Sequence, residues 1–67
     1  MSTATYTVTG MTCAHCVASV TEELNELDGV NEVAVDLASG AVTVTSDAPL
    51  TDEAVKTAVE EAGYQLV

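Results

Sequence analysis

Thr5-Tyr6-Thr7-Val8-Thr9-Gly10-Met11-Thr12-Cys13-Ala14-His15-Cys16-Val17 contains one change of period, and the rest of the chain orders itself around it. Through Thr9 the residues alternate, with Tyr6 and Val8 on one face and threonines on the other, the pattern of a half-buried strand. Gly10 ends it. From about Cys16 the apolar residues Val17, Val20, Leu24 and Leu27 recur at steps of three and four, while Glu22, Glu23 and Glu26 fall on the opposite side, the pattern of an amphipathic helix. A strand therefore passes into a helix through a loop that holds both cysteines of the chain. Packing alone does not account for that placement.

Outward from this junction, Gly29 stands where a left-handed cap would close the helix. Val33, Val35 and Leu37 alternate with Glu32, Ala34 and Asp36 as a second strand, Ala38-Ser39-Gly40 is short enough for a hairpin turn, and Val42 and Val44 alternate with Thr43 and Thr45 as a third. Ser46-Asp47-Ala48-Pro49 breaks the pattern. Thr51 is an N-cap candidate with Asp52 and Glu53 in the first turn, and Val55, Ala58, Val59 and Ala62 form the buried stripe of a second helix. Gly63 ends it, and Tyr64-Gln65-Leu66-Val67 is a short last strand. The order β-α-β-β-α-β predicts an α+β fold, the ferredoxin-like sandwich, with a four-stranded antiparallel sheet and both helices on one face.

The 67 residues make a single domain over 1–67, near the lower size limit for folding without help. The start Met1-Ser2 and the lack of a linker read as an independent gene product rather than a domain cut from a transporter. No apolar run approaches the ~18 residues of a membrane span, and Met1-Ser2-Thr3-Ala4 lacks the regions of a secretory signal, so a cytoplasmic protein without membrane insertion is expected. Eleven acidic residues against the single Lys56 give a charge of −10, which argues against nucleic acid or an anionic membrane as partner. That charge reads as a solubilising surface, one suited to a salty interior, and as a field that steers the protein toward a basic face.

In a reducing cytoplasm two cysteines at this spacing read as ligands or redox groups rather than as a structural bridge. At a helix start, unpaired N–H groups and the helix dipole favour the thiolate. Thiolates of Cys13 and Cys16 can converge on one soft ion, and two sulfurs alone suit a low-coordinate Cu(I) better than a zinc ion that takes four ligands. The cysteines lie outside the predicted core stripe, so substituting them should leave the fold intact. A thiol-disulfide oxidoreductase is the competing class; the short chain, the absence of Trp or Pro from the motif and the position of Pro49 argue against it. No convergent pair of carboxylates suggests acid and base catalysis, and no enzyme activity is expected.

Gly10-Met11-Thr12-Cys13-Ala14-His15-Cys16 together with Leu27-Asp28-Gly29-Val30, Val33-Ala34-Val35-Asp36-Leu37 and Gly63-Tyr64 resembles, over the whole chain, the heavy-metal-associated domain family. Its members are small copper chaperones and the N-terminal metal-binding domains of copper-transporting P-type ATPases. The resemblance implies a carrier that binds one Cu(I) through Cys13 and Cys16 and passes it by thiolate exchange to a copper-transporting ATPase domain or a copper-responsive regulator. It also implies a monomer when apo, and allows two copies to share copper through four sulfurs. Carriage of Zn(II), Cd(II) or Hg(II) is the alternative within the family; Thr12, where zinc-exporting relatives tend to have aspartate, favours copper. Asp28 replaces the common proline, and the lysines often found near the metal loop are missing here. Met11 is read as a plug in the core beneath the loop rather than a thioether ligand. His15 is expected to point away from the site into solvent; ligation, as a third ligand in a bridged complex, or a proton-sensitive modulating role is the alternative. Tyr64 stands where the family places a residue beside the metal loop, able to shield the sulfurs.

Overall fold

Four strands and two helices follow in the order β1 (Ser2–Thr9), α1 (Ala14–Asn25), β2 (Val30–Asp36), β3 (Ala41–Ser46), α2 (Asp52–Glu61) and β4 (Gln65–Leu66) in a computed structural model that describes residues 1–67. The strands pair antiparallel in the order β2-β3-β1-β4. Register puts Val42 between Tyr6 and Val35, and Val44 beside Val33, so one face of the sheet collects the apolar side chains. Both helices cover that face, burying Val20, Leu24, Val55, Ala58 and Val59 against Val8, Val42 and Val44. The other face is wet and threonine-rich, with the Thr5 and Thr43 hydroxyls 3.3 Å apart across the strands. This is the expected ferredoxin-like α+β arrangement.

Several details differ from the periodicity. β1 begins at Ser2 rather than Thr5, because pairing with β3 continues to Ser46. α1 begins two residues before Cys16: extended Cys13 is its N-cap residue, and the Cys16 and Val17 amides both donate to the Cys13 carbonyl, at 3.0 and 3.3 Å. Its buried row is Cys16, Val20 and Leu24, at steps of four, with Val17 and Leu27 only half-buried. Cys16 is therefore part of the buried row and not outside it. Glu23, expected on the wet face, is half-buried because α1 packs beside α2 as well as over β2.

Helix α1 closes at Glu26, and Gly29 lies three residues farther on, in a separate turn where its carbonyl accepts from the Asp47 amide at 2.8 Å. Leu37 does not continue β2. The Gly40 N–H donates to the Asp36 carbonyl at 2.8 Å, which closes the hairpin and leaves Leu37 38% exposed. α2 matches its predicted cap, with the Ala54 amide donating to Thr51 Oγ1 at 3.1 Å.

Its other end matters more for the site. The Gly63 N–H donates to Glu60 O and the Tyr64 N–H to Val59 O, at 2.9 and 3.1 Å, with Gly63 at φ +95°, a Schellman closure that needs the left-handed residue. Tyr64 thereby precedes β4 rather than opening it, which is shorter than predicted because only Gln65 and Leu66 pair with β1.

Two glycines separate strain from collision. A Cβ at Gly63 would meet open space, whereas a Cβ at Gly40 (φ +77°) would stand 2.6 Å from the Val8 carbonyl oxygen. Gly63→Ala should cost the left-handed penalty alone, about 1–2 kcal/mol. Gly40→Ala should cost more, since backbone must also move. Denaturant melts of the two variants beside the parent check the order.

Candidate metal site

Cys13 and Cys16 come together because the first turn of α1 places residues three apart on one side. Their sulfurs lie 3.7 Å apart. The two are not equivalent: Cys13, at the N-cap, is exposed, whereas Cys16, in the buried row, is 9% exposed. The site thus has one anchored sulfur and one accessible sulfur.

Thr12 contributes directly to the electrostatics of the site. Its N–H is the main cause of a Cys16 pKa lowered to about 6, followed by the Tyr64 hydroxyl and the Cys13 N–H, with the Thr12 hydroxyl adding to them and burial opposing. Thr12 Oγ1 is 3.8 Å from Cys16 Sγ. The donors are those of the loop before the helix, where the sequence pointed to the helix terminus itself. Tyr64 acts on the sulfur as a donor, and its own pKa is raised in return, chiefly by that interaction, although the contact lies outside the geometry of a fully formed hydrogen bond. Its ring reaches the loop because Gly10 has no side chain: a Cβ there would stand 3.2 Å from Tyr64 Cδ1. The Gly63 closure that aims this ring was legible only as a helix stop.

Met11 is half-buried and packs against the core. His15 is exposed and does not join the sulfurs: no third His, Cys, Asp or Glu converges on the pair. Nor do the sulfurs sit in a cavity. The largest hollow, about 470 Å³, lies between the helices among Glu23, Glu26, Glu53 and Glu61, and none of the three hollows is lined by either cysteine. What the arrangement offers chemically is a two-sulfur donor set, open on the Cys13 side and able to hold a soft ion.

The lowered Cys16 value sets a sign for pH dependence. A group whose pKa falls on folding adds stability that is fully present above its unfolded value, 9.0, and is lost as pH drops through about 6. The reduced metal-free protein should therefore become more stable between those limits as pH rises. Thiolate absorbance should report ionisation of Cys16 near 6, and Tyr64→Phe, which removes one donor, should move it upward. An unchanged titration in that variant would remove Tyr64 from the site.

A model of the heavy-metal-associated domain matches residues 5–65. The chain is 38% identical over 68 residues to the copper chaperone CopZ of Staphylococcus aureus, covering 100% of each. It is 42% identical over 64 residues to a probable copper-exporting P-type ATPase of Archaeoglobus fulgidus, covering 94% of this chain and 8% of that one. Among solved structures, a CopZ metallochaperone superposes with a TM-score of 0.91 at 37% identity, over 98% of this chain and 100% of its own. With the fold, the loop and the paired sulfurs in agreement, the chain belongs to the heavy-metal-associated domain family.

Proposed function

We propose that this protein is a copper chaperone: it binds one Cu(I) between Cys13 and Cys16 and passes it to a partner that presents thiolates of its own. The observation that carries the reading is the donor set, two sulfurs 3.7 Å apart with no third ligating side chain beside them. Zinc takes four ligands, usually tetrahedral, whereas Cu(I) is selected by soft thiolates and is content with two. The relatives named chaperone and exporter support copper as cargo and a copper-transporting ATPase domain as recipient; a copper-responsive regulator would present the same chemistry.

The inequality of the sulfurs gives the handover its order. The Thr12 and Cys13 N–H groups and the Tyr64 hydroxyl favour the charged form of Cys16, the form a bis-thiolate copper site requires. Cys13 is exposed, so an incoming thiolate approaches on its side and forms a three-sulfur shared state before Cys13 releases. The ion is never free, so high affinity and fast exchange are compatible. Loop dipoles supply the neutralisation, for the only basic side chain, Lys56, lies on α2.

A cytoplasmic location suits this carrier, because a reducing compartment keeps both thiols available. No helix is long and apolar enough to cross a membrane. A thiol-disulfide oxidoreductase fits less well: the sulfur whose pKa is lowered is the buried one, out of reach of an external disulfide. The protein acts as a carrier and not as an enzyme, and it is a monomer without metal.

Anaerobic competition for Cu(I) against a chromophoric chelator tests this, with Zn(II) in parallel. Cys13→Ser and Cys16→Ser should each lose tight Cu(I) binding, by at least a hundredfold. Only Cys16→Ser should also lower stability, by ~1 kcal/mol, since it alone puts a hydroxyl into the buried row. Tight zinc retention with weak copper binding would reverse the metal assignment, and copper binding that survives loss of both sulfurs would end the proposal.

A further inference from the structure

We infer that the end of the molecule bearing the sulfur pair is a docking face free of Asp, Glu, Lys and Arg, fitted to a partner domain that displays its thiolates from a surface equally without them. This deepens the carrier reading and rests on it. Residues 1–21 contain no Asp, Glu, Lys or Arg, and all eleven carboxylates fall between Glu22 and Glu61. The sulfur loop lies inside that neutral segment.

Topology brings two further uncharged pieces to the same end. The hairpin Leu37–Gly40 is tied to β1 by the Val8 N–H donating to Gly40 O at 2.9 Å, and the Gly63–Tyr64 turn lies against Gly10. Leu37, at 38%, is the one exposed large apolar residue away from the chain ends. Charge begins at the rim. Asp36 turns its Oδ1 onto the Ala38 N–H at 3.1 Å, and Glu60 and Glu61 occupy the last turn of α2. Glu22, the first carboxylate of α1, is six residues past Cys16, about 9 Å along the axis.

The site's chemistry says what covers this face. With no third ligand in the chain, the third sulfur of the shared state must come from the partner, so the two loops must meet closely. A charge trapped in so close a contact would lose its hydration and require an opposite charge in register. Here the loop's only titratable side chains are the two sulfurs and His15, with no Asp, Glu, Lys or Arg beside them, so ion pairs do not carry the contact. The −10 field acts at a distance, over a screening length of ~10 Å at 0.1 M salt.

A second copy of the chain has the required surface and serves as the probe. Copper exchange from a loaded copy to an isotopically labelled apo copy, measured without oxygen from low to molar KCl, should accelerate as the repulsion between the two chains is screened, and then level off. Ala18 is exposed and stands one turn beyond Ala14, near the sulfur-bearing end of α1. Ala18→Glu should slow exchange at low salt about fivefold relative to Ala18→Gln, the effect of one close like-charge pair in water. The gap should close at high salt, and Glu53→Gln, at the opposite end, should change little. Equal rates for the two Ala18 variants, an exchange rate that falls with salt, or a Glu53→Gln acceleration as large as the Ala18→Glu slowing would each overturn the inference. Chelator competition on every variant separates copper affinity from docking. Formation of an intermolecular Cys13–Cys13 disulfide between apo copies under mild oxidant reads the same face without copper, and should follow the same order of variants.

Discussion

Burial of Val20 and Leu24 against the valine face of the sheet, with Cys16 one turn earlier in the same row, is the constraint on which the site depends. A helix this short has a single row to bury, and steps of four keep the row on one line. With Val20 and Leu24 fully enclosed, the same row leaves Cys16 only 9% exposed. Its partner, one turn earlier at the N-cap, is left outside the helix and in solvent. The difference between a held sulfur and an offered one is thus a product of core packing, and no separate device is needed to create it.

The same packing determines what stabilises charge on the held sulfur. Cys16 points back over the turn that precedes it, as helical side chains do, and so meets the N–H groups of Thr12 and Cys13. Tyr64 arrives from the other end of the chain. Its position depends on α2 closing through Gly63 and on Gly10 leaving room for the ring, so two glycines 53 residues apart in sequence serve one contact. The loop before α1 and the turn after α2 therefore converge on one sulfur, while the other stays exposed.

Most of the architecture was legible in the sequence because it rests on period: alternating valines for the strands, steps of three and four for the helices, and glycine between them. The paired cysteines were legible as ligand candidates because free cysteines on a strand-to-helix loop have few other uses. What period does not give is phase. Val17 and Cys16 are neighbours, and either could have led the buried row; only the docking of α1 on both β2 and α2 selects Cys16. Leu37 looked like the third member of an alternating strand, but a hydrogen bond from Gly40 to Asp36 ended the strand first. The role of the Thr12 amide was out of reach, since a backbone N–H is the same in every sequence and only its direction is special.

The lack of a cavity at the sulfurs follows from the task. A site that encloses its ion gains affinity by excluding other ligands, and an ion so enclosed leaves slowly. Two ligands at the rim of a small sandwich give up enclosure and rely on the strength of metal-thiolate bonds, which an incoming thiolate matches one for one. Exchange then costs little at any stage, because each bond broken has already been replaced. Carboxylates close to such a site would work against it, raising the cost of charge on the sulfurs and resisting the approach of a second thiolate pair. Their confinement to Glu22 and the residues after it lets a strongly acidic protein keep a neutral point of contact. On the proposed reading, acidity and thiolate exchange coexist because the sulfur loop carries no carboxylate of its own and the nearest ones stand only at its rim.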